Sequence, residues 1–173
     1  AATAVVGVLL SVRALATTTT SHQARSFGIG DDVPTSFGIV AVEFVRSVDG
    51  VSHRALAGAT HGVSGLVESG QQQIQVAVAV TNRGKYPLAY TVRQFELRVT
   101  VKGKTMLLRA TAGDLPDGRI LPDAGIEGHL DFTLPAANAV ASLLFHDSGA
   151  KAPVVIALGT IAATTPGVVH SHG

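Results

Sequence analysis

Cysteine is missing from all 173 residues, and that one absence removes disulfides, thiolate metal sites, cysteine nucleophiles and iron–sulfur clusters together. Blue-copper centres go with them, because their defining ligand is a thiolate. Charge is scarce too: Asp, Glu, Lys and Arg make up 14% of the chain, against about 25% in an ordinary soluble domain. With 46% hydrophobic residues, this implies either a surface that touches lipid or protein more than usual, or a proteome rich in Ala, Val and Gly. The formal net charge is +1 and the 13 Lys and Arg residues form no run, so the clustered cations that bind nucleic acid by counterion release are absent. Catalytic signatures are lacking as well. There is no Gly-x-Ser-x-Gly, no Gly-x-Gly-x-x-Gly opening a helix and no Gly-x-x-x-x-Gly-Lys. Ser52-His53 has no supporting carboxylate beside it, and Asp31-Asp32 reads as a solvated turn. The expectation is a protein without an activity of its own.

What is present begins with an uncharged apolar stretch, Ala1 to Val12, in which Val5, Val6, Val8, Leu9, Leu10 and Val12 leave no polar face. A full span needs about 20 apolar residues, so residues 1–16 read as the C-terminal part of a transmembrane anchor helix. A signal peptide, with Ala14-Leu15-Ala16 as its cleavage site, and a core strand are the alternatives. Arg13 and Arg25 would then flank the anchor on the outer side, where the positive-inside rule disfavours them. Residues 17–35, a mixture of Thr, Ser, Gly, Asp and Gln ending at Pro34, read as a spacer. The length leaves room for one domain beyond it, predicted at 36–162. A short tail, 163–173, closes the chain.

Within that domain the hydrophobic period is two. A first strand covers about Phe37 to Val45, with Val40, Val42 and Phe44 assigned to one face. From Gln73 to Asn82, Ile74, Val76, Val78 and Val80 alternate with Gln75, Ala77, Ala79 and Thr81. Phe95, Leu97, Val99 and Val101 repeat the pattern, and Lys102-Gly103-Lys104 closes a hairpin into Thr105 to Arg109. Leu130, Phe132 and Leu134 face inward opposite His129, Asp131 and Thr133; strands follow at Ala139 to Phe145 and Val154 to Leu158, the last apolar on both faces as a central strand can be. Seven or eight short strands with hairpin spacing predict an all-β, immunoglobulin-like antiparallel β-sandwich. Asp49 to Gly70 is Gly-rich and long for a loop in a compact domain, a length usually tied to function or to a partner.

Four stretches carry a family resemblance: Val80-Thr81-Asn82-Arg83-Gly84 at a strand end, Pro87-Leu88-Ala89-Tyr90 leading to Phe95-Glu96-Leu97, Leu134-Pro135 before a hydrophobic strand, and the terminal Val154-Val155-Ile156-Ala157-Leu158-Gly159. Over about Phe37 to Gly159 the chain resembles an immunoglobulin-like accessory domain of unknown function found in Gram-positive lipoproteins and membrane-anchored proteins. That family shares no enzymatic activity, so the resemblance implies a binding or assembly module and transfers no site residue. The lipobox cysteine of the lipoproteins is lacking, and the apolar segment takes the place of a lipid anchor.

Histidine supplies the only metal-ligand candidates. His170-Ser171-His172 is a His-x-His spacing that lets two imidazoles reach one copper or zinc ion, although a flexible tail or a cloning remnant is the favoured explanation. His53 and His61 bracket the Gly-rich loop, and His129 with Asp131 on one strand face makes half a site. These readings lead to a non-catalytic, membrane-anchored accessory subunit. Its sandwich would sit on the extracytoplasmic side of the cell membrane, against the integral-membrane subunits of a complex such as an actinobacterial copper-dependent monooxygenase or a respiratory oxidase. Copper is a possible cofactor in that reading, not a required one. The alternatives are a free-standing envelope protein that binds copper or a small ligand, and a surface-adhesion module.

Overall fold

The computed structural model describes residues 26–48 and 67–164. The expected anchor helix, the Gly-rich segment 49–66 and the tail from 165 onward lie outside the described residues, and so do His53, His61, His170 and His172. Among the described residues no helix is long and apolar enough to cross a membrane.

The described chain is all-β, as its period of two predicts, with one turn of 3-10 helix at Val92–Gln94. One five-stranded sheet takes the order β1 (Phe27–Gly28), β12 (Val154–Ile161), β11 (Ala139–Phe145), β6 (Phe95–Val101) and β7 (Lys104–Arg109). The second runs β2 (Val33–Pro34), β3 (Gly38–Val48), β4 (Gln71–Asn82), β10 (Gly125–Pro135) and β8 (Ala112–Gly113), and a small ribbon pairs β5 (Leu88–Tyr90) with β9 (Gly118–Ile120). Ladders are antiparallel except between β1 and β12, which are parallel. The inward faces of the two sheets share one core: Val40, Val42, Ile74, Val76, Leu130 and Phe132 from one, Phe95, Leu97, Leu143, Phe145 and Ile156 from the other. The two sheets therefore form a β-sandwich.

The stretch expected to be spacer up to residue 35 already contributes to both sheets. Phe27 pairs with Ile156 and Val33, fully buried, pairs with Val40. These strands are two residues long, too short to show a period. At the other end of the chain, β12 has β11 along its whole length but only the two residues of β1 on its other side, with Ile156 and Leu158 inward and Ala157 exposed. It is therefore a nearly outermost strand, not a central one. The β6–β7 hairpin is as expected: Lys102 (φ 48°) and Gly103 (φ 79°) both take the left-handed conformation that a two-residue turn requires.

One end of the sandwich is tied by buried polar side chains. Asn82 Nδ2 donates to the carbonyls of Tyr86 at 2.8 Å and Ile120 at 3.0 Å, while its Oδ1 accepts from Gly84 N at 2.9 Å. Arg83 N reaches the Phe37 carbonyl at 2.8 Å. Asp147, also buried, receives Ser36 N and Ser36 Oγ, each at 2.6 Å, and Gly149 N at 2.9 Å. Phe145 touches Phe37 and Phe95 with ring centroids 5.9 and 4.9 Å away. The turns 83–87, 121–124 and 146–153 and the segment 35–37 therefore share this end.

Two outcomes test the arrangement. Asn82→Ala removes the buried side-chain partner of two carbonyls and one amide, and should cost about 3 kcal/mol in chemical denaturation. Burial acts to raise the pKa of Asp147 but is outweighed by the hydrogen bonds from Ser36 and Gly149, which hold it below its ordinary value. Since the folded value is the lower one, the contribution of this carboxylate is complete above the ordinary Asp range of about pH 4 and lost as pH falls through the folded value. Asp147→Asn should lower stability at neutral pH and flatten this part of the acid limb in a pH series of melts.

Candidate functional site

A β-bulge builds the candidate site. The β3–β4 register passes from Val42 opposite Val78 to Phe44 opposite Ala77, leaving Glu43 as an extra residue. Beyond it the parity of β3 is reversed. Phe44, expected on the core face with Val40 and Val42, instead stands on the outer face at 38% exposure, and Val45 packs on the core.

Two rows of side chains then cross the outer face of β3, β4 and β10. Phe44, Ala77 and His129 make the first; Arg46, Gln75 and Asp131 make the second. Ala77 is small enough for the Phe44 and His129 rings to approach over it, with centroids 5.8 Å apart at 53°. The Arg46 guanidinium lies 5.7 Å from the Phe44 ring centre, a cation–π distance. Arg46 Nε also donates to Gln75 Oε1 at 2.9 Å, and Gln75 Nε2 donates to Asp131 Oδ1 at 3.0 Å. The second row is thus one hydrogen-bonded chain across three strands.

Asp114, from the segment after β8, completes the patch. Its Oδ1 accepts from His129 N at 2.5 Å, and both its oxygens lie 3.2 Å from His129 Nδ1. The backbone N–H of His129, followed by the ring, holds the Asp114 carboxyl below its usual pKa. Gly113 makes the approach possible, because a Cβ there would sit 2.2 Å from the His129 carbonyl oxygen.

His129 and Asp131 do share a face, as their spacing predicts, but each is engaged separately, by Asp114 and by Gln75. Among the described residues no three His, Cys, Asp or Glu side chains are grouped to hold a metal ion. A second polar cluster lies on the outer face of the first sheet, where His146 Nε2 is 2.9 Å and Arg109 Nε 3.7 Å from the Glu96 carboxylate. Sequence reasoning missed Phe44, Arg46, Gln75 and Asp114. The one trace of the bulge was the adjacent apolar pair Phe44-Val45, which no unbroken alternation can place. Although 49–66 and 165–173 are not described, the residues flanking them meet: Ser47 Oγ is 3.4 Å from Thr164 Oγ1, and Gln72 Oε1 accepts from Thr164 N at 2.8 Å.

Fold and face together define a β-sandwich with an aromatic, hydrogen-bonded surface on one sheet. No family model and no curated protein matches the chain. Solved structures do. The candidate lipoprotein ycdA of Bacillus subtilis subsp. subtilis str. 168 is 20% identical with a TM-score of 0.53, over 76% of this chain and 38% of that one. The yjhA protein of Bacillus subtilis is 14% identical with a TM-score of 0.53, over 76% of this chain and 98% of that one. The chain thus spans 38% of the length of ycdA and nearly all of yjhA. At these identities the likeness establishes the fold alone.

The outer face predicts a separation of effects. Phe44→Ser removes an exposed ring, so the melting temperature should change little, whereas Phe132→Ala at the fully buried site of the same sheet should cost about 4 kcal/mol. Parallel thermal melts of the two variants check this.

Proposed function

We propose that the chain is a non-catalytic, immunoglobulin-like domain held at a membrane on its extracytoplasmic side, where it serves as an accessory subunit of an integral-membrane complex. The bulged outer face of β3, β4 and β10 is the surface its partner covers. The observation that carries the reading is Phe44: a bulge turns a large aromatic out of a core face and sets it beside the row Arg46, Gln75 and Asp131, whose polar side chains are already ordered by one another. Ordered side chains lose little further freedom on binding, and aromatic and Arg residues dominate the energetics of interfaces.

Strand order supports the immunoglobulin-like assignment. β3–β4–β10–β8 facing β12–β11–β6–β7 follows the A-B-E-D and G-F-C-C′ order of such sandwiches. The apolar Ala1 to Val12 supports the membrane location, as does the description of ycdA as a candidate lipoprotein. The test is mild detergent extraction of the native protein, size separation and mass spectrometry of the fraction. Migration with integral-membrane polypeptides is expected, and Phe44→Ser should release the chain from them; migration of the unaltered protein as a lone small species would sink the proposal.

A second reading, a free-standing envelope carrier of copper, is favoured by the Ser47–Thr164 contact. It places the stems of the two histidine-bearing segments, 49–66 and 165–173, at one end of the sandwich. On this reading the joint variant His170→Ala with His172→Ala should lower copper bound per chain, measured by elemental analysis after dialysis against copper. Unchanged metal content would remove the tail from the carrier reading.

A further inference from the structure

The end of the sandwich tied by Asn82 and Asp147 carries two exposed apolar side chains that no packing explains. Tyr86 is 81% and Leu121 63% exposed. They are neighbours, because Asn82 holds the carbonyls of Tyr86 and Ile120 with one amide group and Leu88 pairs with Ile120 next to them. Arg83 and Lys85 share the 83–87 turn with Tyr86, Arg119 lies in β9 two positions before Leu121, and all three are exposed. Arg93 and Lys151 lie farther out at the same end, placed there by the hydrogen bond from His146 N to the Gln94 carbonyl and by the 146–153 turn.

Of the carboxylates at this end, Asp147 is buried and occupied by Ser36 and Gly149, and Asp117 accepts from Val92 N at 2.6 Å. Asp123 stands exposed in the 121–124 turn. The five cations Arg83, Lys85, Arg93, Arg119 and Lys151 outnumber these three carboxylates and leave a net positive charge around a Tyr–Leu centre, a combination suited to the interface of an anionic bilayer. There a tyrosine ring enters the headgroup layer with its hydroxyl in water, while Lys and Arg face lipid phosphate.

Chain direction supplies an independent argument. β1 is parallel to β12, which starts from the 146–153 turn, so the chain reaches Phe27 from the side of this same end. The residues that precede it include the apolar Ala1 to Val12.

We propose that this end, centred on Tyr86 and Leu121 and rimmed by Arg83, Lys85 and Arg119, rests on the anionic phospholipid surface of the membrane. The inference rests on the membrane-held reading for its setting, and the experiment separates the two.

The chain contains no Trp, so Tyr86→Trp in the full-length protein introduces a single reporter. Val140→Trp, at a 59% exposed position toward the opposite end of β11, is the control. With phosphatidylcholine vesicles containing phosphatidylglycerol, fluorescence at position 86 should shift to the blue and be quenched by brominated lipid, while that at position 140 should not change. Adding Arg83→Glu and Lys85→Glu should raise the lipid concentration at half-maximal shift at least about thirtyfold. If the protein sediments with the vesicles but position 86 is unshifted, the docking end is overturned and the membrane-held reading stands. If the protein stays in solution with every vesicle, both fall. Equal shifts at 86 and 140, or an equal shift on pure phosphatidylcholine, would also overturn the inference.

Discussion

The buried carboxamide of Asn82 is the interaction on which the loop end depends. A planar amide offers two N–H donors and a carbonyl acceptor, and here all are used on backbone, the donors on Tyr86 and Ile120 and the acceptor on Gly84, while the main-chain N–H of Asn82 donates to the Ala124 carbonyl at 2.9 Å. Buried backbone groups at a sandwich end need partners, and this side chain supplies one to the carbonyls of Tyr86 and Ile120 and one to the amide of Gly84. By satisfying them the amide fixes the 83–87 turn against the β9 strand. The Tyr86 carbonyl is used inside while its ring is left outside, and Leu121 follows the held Ile120 into the 121–124 turn with its side chain exposed.

Asp147 has the matching role on the other side of that end. It closes on Ser36 and Gly149 and so joins the β11–β12 turn to the segment leading into β3. Arg83 N on the Phe37 carbonyl then links the two tied regions. The four connections are therefore joined to one another by hydrogen bonds. A surface made of turns is normally the most mobile part of a sandwich, and at this one buried polar groups join the turns beside the Phe37–Phe145–Phe95 contacts.

How much of this could be read from the chain alone follows from the physics of each element. β4, β6, β10 and β11 were legible because each buries one face against the same core, so alternation in sequence is the direct image of burial. β1 and β2 were not, since a two-residue strand has no period and Phe27 and Val33 sit among turn-forming residues. The Glu43 bulge was hidden for another cause: one inserted residue reverses every face after it without altering composition, and only the pairing with β4 shows where the reversal falls. Of the candidate face, the His129–Asp131 side was visible through spacing. The Phe44 side was misplaced by the bulge, and Asp114 comes to His129 across 15 positions of sequence, a contact made by the fold.

The same bulge ties the two proposed surfaces together. The outer face of β3, β4 and β10 runs along the strands, whereas the Tyr86–Leu121 end caps them, so the two surfaces meet at roughly a right angle. In the proposed arrangement the end lies on lipid and the face stands upright beside it, turned toward whatever rises from the same bilayer. A partner reaching the Phe44–His129 row would approach sideways, within the height of one sandwich above the membrane. That geometry suits the extracytoplasmic part of an integral-membrane neighbour better than a freely diffusing ligand, because restriction to the bilayer has already removed part of the orientational freedom that association must otherwise give up.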